Sequence, residues 1–173
     1  MHVLIVHESL YGTNRTIAEA IAAGMGPEVT ITIVEAHDAP TTVAADIDLL
    51  VVGGPNHKAG LPRPETRAEA AADSEGSLHP ADRGLREWLA DVQLARPGQP
   101  LAVWDTRMAS PRILDTFDHS ARTIAKRLRR AGARLVGDPA KFYSADGKGA
   151  LVAGEEQRAR EWGAELASHL LPA

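Results

Sequence analysis

The chain has 173 residues, a formal net charge of −4 and no cysteine. The length suits a single domain, 1–173, with a sizeable core, and the mild acidity argues against bulk affinity for nucleic acid. Without thiols there are no disulfides, thiolate zinc sites or cysteine nucleophiles. No apolar run nears the roughly 18 residues of a membrane span, and Met1 leads straight into an apolar run without a basic leader, so a cytoplasmic protein is expected.

In chain order, the apolar run 3–6 reads as a strand that stops at Glu8. A hydroxyl- and glycine-rich turn follows at 9–14. Apolar residues then recur at helical spacing at Ile17, Ala18, Ile21 and Ala22, predicting a helix over 16–24. Such a turn lies where amide groups are unpaired and the helix dipole is positive, which makes it a ready anion site. Ser9, Tyr11, Thr13 and Asn14 add side-chain donors, and the turn contains no lysine. Neutral donors of this kind suit a nucleotide monophosphate better than a triphosphate. The lysine-bearing nucleoside-triphosphate loop is absent, and Gly12 alone does not make the three-glycine dinucleotide fingerprint. An ordinary strand-to-helix turn with a polar cap is the simpler alternative.

Further strands are predicted at 29–34, 49–52, 101–104 and 135–136, resuming at 142–143. Helices are predicted at 65–72, 84–91, 119–131 and 154–170, with a short helical piece near 43–45. Alternation of strands and helices predicts an α/β fold with a parallel sheet. The unbroken apolar run Leu49-Leu50-Val51-Val52 suits a central strand buried on both faces. The stretch 73–83, rich in glycine, serine, proline and charge, is expected to be mobile.

Ser9-x-Tyr11-Gly12-Thr13-Asn14 resembles the FMN-phosphate loop of flavodoxins, with the last two residues in inverted order. The loop Gly53-Gly54-Pro55-Asn56-His57 resembles a bacterial flavodoxin-like subgroup, with Ala59 where an aromatic residue would stand. Asp105-Thr106-Arg107 and the Gly147-x-Gly149 region recur in the same subgroup. The resemblance implies a flavodoxin-like three-layer sandwich with a five-stranded parallel sheet in the order 2-1-3-4-5, and one bound FMN. Ser9, Tyr11, Gly12, Thr13 and Asn14 would then hold the phosphate. Pro55, Asn56, His57 and Lys58 on one side, and Asp105, Thr106, Arg107 and Met108 on the other, would flank the ring. Glycines of the second loop would let the backbone approach a flat ligand. Lys58, Arg107 and a protonated His57, set against Asp105, would make the ring surround net positive and favour the reduced, anionic flavin.

The resemblance implies electron transfer to a redox partner protein, with no catalytic side chain required. Two alternatives stand beside it: a small FMN-dependent reductase passing electrons from NAD(P)H to a quinone-type acceptor, and a flavin-free interaction module of the same fold. Either a monomer or a homodimer is compatible with the sequence. A phosphoacceptor receiver domain is rejected, because strand three would end in Gly53-Gly54 rather than an aspartate. The seven histidines show no metal-ligand spacing. Arg122, Lys126, Arg127, Arg129, Arg130 and Arg134 read as a solvated basic face, beside a helix whose apolar stripe is Ile124, Ala125, Leu128 and Ala131. Trp104 and Trp162 read as packing residues.

Overall fold

The computed structural model describes residues 1–56, 60–73, 82–109 and 119–169. Strand β1 (His2–His7) leads through the first turn to α1 (Thr13–Gly24) and β2 (Thr30–Glu35). A two-residue β3 (Thr42–Val43) precedes the central β4 (Leu49–Pro55), then α2 (Pro64–Asp73) and α3 (Leu85–Asp91). The chain continues through β5 (Gln93–Leu94), β6 (Pro100–Met108), α4 (Ser120–Arg130), β7 (Arg134–Leu135), β8 (Ala140–Ser144) and α5 (Glu155–Ser168).

The main sheet is parallel and runs β2-β1-β4-β6, with both β7 and β8 on the far side of β6. It therefore has six strands rather than the expected five. The difference lies at the edge. Arg134–Leu135 pair with Pro100–Leu101, and the ladder resumes only where Ala140 meets Trp104. Pro139 stands in the interruption, and its ring nitrogen has no proton to give a ladder. The short helical piece expected near 43–45 is instead β3, which pairs with β5 in a separate two-stranded sheet. Three residues are too few for periodicity to separate helix from strand.

Strand alternation divides the core into two layers. On β1, Val3 and Ile5 pack toward α1 and α5, whereas Leu4 and Val6 pack toward α3 and α4. Leu49 and Val51 follow the first pair, and Leu50 and Val52 follow the second. All four are fully buried, so the continuous apolar run is a central strand covered on both faces. The alternation persists along β6: Ala102 and Trp104 face α1 and α5, and Leu101 and Val103 face α4. It fixes where the polar residues at the end of that strand point. Thr106 turns toward α1, while Asp105 and Arg107 turn toward α4.

Helices α1 and α5 meet backbone to backbone. A Cβ added at Gly24 would lie 1.9 Å from the Arg160 carbonyl oxygen, and one at Gly163 would lie 2.1 Å from that of Ile21. Trp162 is half-buried beside this contact and meets Phe142 edge to face at 6.1 Å, consistent with a packing role.

Candidate functional site

The chain reverses direction of strand addition between β1 and β4, which are adjacent in the sheet although β2 and β3 lie between them in sequence. A crevice outside the carboxyl ends of such strands is where α/β sheets of this kind take ligands. Three of the loops named from the sequence end there, after β1, β4 and β6.

The first turn is built as a helix start. The first helical bond runs from the Thr16 amide to the Gly12 carbonyl at 3.0 Å. The Arg15 amide donates to Ser9 Oγ at 3.3 Å. Helix geometry leaves the amides of Thr13 and Asn14 directed out of the helix start. Gly12 has φ +88°, a left-handed conformation that a β-branched residue would strain to adopt, and a Cβ there would meet nothing within 4 Å. The turn is thus open above Gly12, with outward N–H groups and no acidic residue in the first helical turn.

Asn14 behaves differently from the expectation that it donates to a phosphate. It is buried, its Nδ2 donates to Thr106 Oγ1 at 2.8 Å, and its Oδ1 accepts from Trp104 Nε1 at 3.1 Å. Both polar ends of its side chain are committed to β6, so the side chain pins the turn and only the backbone amide faces outward. Thr106 is likewise turned inward.

The second loop brings a related correction. Gly53 does not give a flat ligand access to the backbone; the flat group over it is the protein's own indole. A Cβ at Gly53 would lie 1.9 Å from Trp104 Cδ2. At Gly54 a Cβ would meet Leu85 Cδ1 at 2.5 Å. These glycines make room for core side chains. Beyond them, the Asn56 amide donates to the Thr106 carbonyl at 2.7 Å, tying the second loop to the third. The Ser120 hydroxyl lies 3.2 Å from the Pro55 carbonyl oxygen and 3.1 Å from Asn56 Oδ1, and it can donate to one at a time. His57, Lys58 and Ala59 lie outside the described residues, as do residues 74–81 of the segment expected to be mobile.

In the third loop, Asp105 and Arg107 are both buried and form an ion pair. Arg107 Nη2 lies 2.7 Å from each carboxylate oxygen, and Arg107 Nε lies 3.0 Å from Oδ1. Asp105 Oδ2 also accepts the Ala121 amide at 3.0 Å, capping α4. The cation expected beside the ring is therefore neutralised by its neighbour two residues back, and Arg107 supplies little net field. Met108, 44 % exposed, is the part of this loop that faces outward.

A fourth loop, after β8, completes the rim. A Cβ at Gly149 would lie 2.7 Å from the Tyr11 carbonyl oxygen, and one at Gly147 would lie 3.2 Å from Met108 Sδ. This loop therefore joins the first turn to the third loop. Its Asp146 carboxylate accepts the amides of Lys148 and Ala150 at 2.8 and 3.2 Å.

Sequence reasoning missed a buried charge cluster under the first turn. Glu8 is 6 % exposed and Arg67 3 %. Arg67 Nε donates to Glu8 Oε1 at 2.6 Å, and Arg67 Nη2 to Glu87 Oε2 at 2.7 Å. Glu8 Oε2 accepts the Leu85 amide at 2.9 Å. Burial pushes the Glu8 carboxyl above its ordinary value, against the opposing pull of Arg67. Beside this cluster a cavity of about 10 Å³, room for about one water, separates Glu8 from Glu35 and His37. Burial also raises the Glu35 carboxyl. The local sequence carried no sign of the cluster, because Glu8, Arg67 and Glu87 sit on three separate elements.

The same arrangement of strands, helices and loops occurs in solved structures. Flavodoxin 1 from Bacillus cereus superposes with a TM-score of 0.69 over 99 % of this chain and 100 % of its own, at 15 % identity. The fold is that of flavodoxins. A Pseudomonas aeruginosa flavodoxin, solved as a point mutant, matches at TM-score 0.63 and 18 % identity, covering 98 % of this chain and 99 % of that one. A WrbA-like flavodoxin from Agrobacterium tumefaciens matches at 0.58 and 18 % identity, covering 98 % and 96 %. No protein-family model matches the sequence, and no curated protein matches it. Among the described residues, no helix is long and apolar enough to cross a membrane, and no cluster of three histidine or acidic side chains is arranged to hold a metal.

Proposed function

We propose that this flavodoxin-fold chain binds one FMN non-covalently and passes electrons between redox partners. The observation that supports it most is the start of α1. Its outward amides and its open, left-handed Gly12 lie at the carboxyl edge of the sheet between β1 and β4. A phosphate there would be met by N–H donors and the positive end of a helix, without competing carboxylates in the first turn. Ser9 and Thr13 add hydroxyls, and Tyr11 stands on the rim. Asn14 and Thr106 act from below by holding the turn against β6.

The bound flavin would supply the redox chemistry. The protein would fix its phosphate, exclude water from one face and set its surroundings. Met108 and the second loop, through Pro55 to Lys58, would border the ring. No side chain needs to act as acid or base in this reading. Its partner would be a redox protein or a small quinone-type acceptor.

Titration of the apo-protein with FMN, FAD and riboflavin tests the proposal. FMN is expected to bind, and riboflavin much more weakly, because it lacks the anchoring phosphate. FAD is expected to bind poorly, since a second phosphate and an adenosine would have to leave a turn shaped for a terminal group. Gly12→Val should abolish FMN binding, and Ser9→Ala should cost about 1–3 kcal/mol. Equal affinity for FMN and riboflavin would defeat the phosphate assignment. No binding of any flavin would favour the flavin-free interaction module.

A further inference from the structure

We propose that Lys148 is the counter-charge of the phosphate turn, held by Asp73 until a phosphate monoester takes its place. The inference rests on the FMN reading above and adds to it a residue of the fourth loop. The turn's own donors are neutral, whereas a terminal phosphate carries close to two negative charges at pH 7. The cations nearest the turn in the chain and in space are committed elsewhere. Arg15 pairs with Glu19 one turn along α1 at 3.0 Å, and Arg67 is buried beside Glu8 and Glu87.

Two elements bring Lys148 and Asp73 to the turn from different sides. The fourth loop packs on the turn itself, since a Cβ at Gly149 would lie 2.7 Å from the Tyr11 carbonyl oxygen. Asp146 engages its carboxylate within that loop, accepting the amides of Lys148 and Ala150, so the loop is held while the Lys148 side chain is left to reach outward. Helix α2 is anchored at Arg67 on Glu8, the residue before Ser9. Asp73, the last residue of α2, lies about 9 Å further along it at 1.5 Å per residue. Lys148 Nζ stands 3.5 Å from Asp73 Oδ2. This ion pair closes a ring of contacts that passes from Glu8 through the turn to the fourth loop and back along α2.

The pair is suited to exchange rather than to stability. Lys148 is 67 % exposed and Asp73 57 %, so water screens their attraction and little holds them together. Asp73 stands at the carboxyl end of α2, where a carboxylate opposes the helix dipole, so helix stability does not account for it. A phosphate at the start of α1 offers the ammonium a larger charge than Asp73 does. The flexible lysine stem lets the ammonium pass from one to the other without movement of the backbone. Lys148 and Asp73 then act on binding with opposite signs: the ammonium attracts the phosphate, and the carboxylate competes for the ammonium.

The test titrates FMN and riboflavin into the full apo-chain, followed by flavin fluorescence at low salt. Lys148→Gln should weaken FMN binding about five- to tenfold. Asp73→Asn should tighten it about two- to fivefold by removing the competitor. Lys148→Arg, which keeps the charge, should stay within about threefold of the parent. Lys126→Gln on α4 makes the same change in net charge and should stay within about twofold. Riboflavin affinity should move less than about twofold in every variant, because it carries no phosphate. A purely structural bridge between α2 and the fourth loop would instead weaken FMN binding in Lys148→Gln and Asp73→Asn alike. That result, a loss shared with riboflavin, or unchanged FMN affinity in Lys148→Gln overturns the role of Lys148 and leaves the FMN reading standing. No FMN binding by the parent chain overturns both.

Discussion

Arg67 carries a full charge in the interior because two carboxylates, a carbonyl and three structural elements converge on it. Its Nη2 also lies 3.2 Å from the Pro62 carbonyl oxygen. Removing one member of a buried pair is far costlier than the pair is worth, since the survivor keeps its desolvation penalty. Arg67→Ala should therefore destabilise the fold by about 3–5 kcal/mol at pH 7. The sign of its pH dependence follows from Glu8. A carboxyl whose folded pKa is raised contributes stability that is fully present below its unfolded pKa and lost as pH rises through the folded one. Without Arg67 that rise is larger, so the variant's deficit should shrink as pH is lowered from 7 toward the ordinary carboxylate range. Urea unfolding at both ends of that window checks it; a deficit independent of pH would show that Glu8 is not the group left stranded. Gly53 offers a second test at this scale. Gly53→Ala drives a methyl into the Trp104 indole and should cost about 1–3 kcal/mol, and most of that cost should vanish in a Trp104→Ala background. Additive losses in the double-mutant cycle would refute the contact.

At the scale of elements, the decisive packing is α1 against α5. Alanine is intrinsically better than glycine in a helix by about 1 kcal/mol. At Gly163 that gain meets the Ile21 carbonyl at 2.1 Å from the new Cβ, and a backbone atom cannot rotate aside. Sterics should win: Gly163→Ala is expected to be destabilising by about 1–3 kcal/mol despite its better propensity. Chemical denaturation checks it, and a neutral or stabilising result would mean that the helices separate at little cost. Two further ties act between elements. Asp105 caps α4 from the end of β6, and Asn14 joins the start of α1 to the same strand. Both lie at the carboxyl edge of the sheet, so the residues expected to touch a cofactor largely hold its surroundings in place.

At the scale of the molecule, ligand binding and folding are linked. A ligand that binds only the folded chain stabilises it by about 2.7 kcal/mol at a concentration 100 times its dissociation constant. FMN should therefore raise the thermal midpoint in a concentration-dependent way. Riboflavin at the same concentration should not, and Gly12→Val should remove the FMN effect. Thermal scans of the three combinations check it; an equal rise with riboflavin would place the binding energy in the ring rather than in the turn. The same scale sets the redox expectation. With Arg107 held by Asp105 in a buried pair, the third loop is close to neutral and adds little field to a nearby ring.

The sequence by itself determined the alternation of the main strands and helices, the strand-turn-helix start at Ser9 to Asn14, and the buried run at 49–52. Each follows from periodicity and turn chemistry within a few residues. It also determined that α4 has an apolar stripe and a basic face. Tertiary structure decided which way side chains at the sheet's edge point. The sequence places Asn14, Gly53 and Asp105 in ligand loops, and the fold turns them toward Trp104 and Arg107. That direction depends on strand register and on the helix covering each face, which no local window contains. The same holds for Glu8, Arg67 and Glu87. Each reads as an ordinary surface charge, and only the packing of α2 and α3 over the end of β1 takes Glu8 and Arg67 out of water and joins half-buried Glu87 to them.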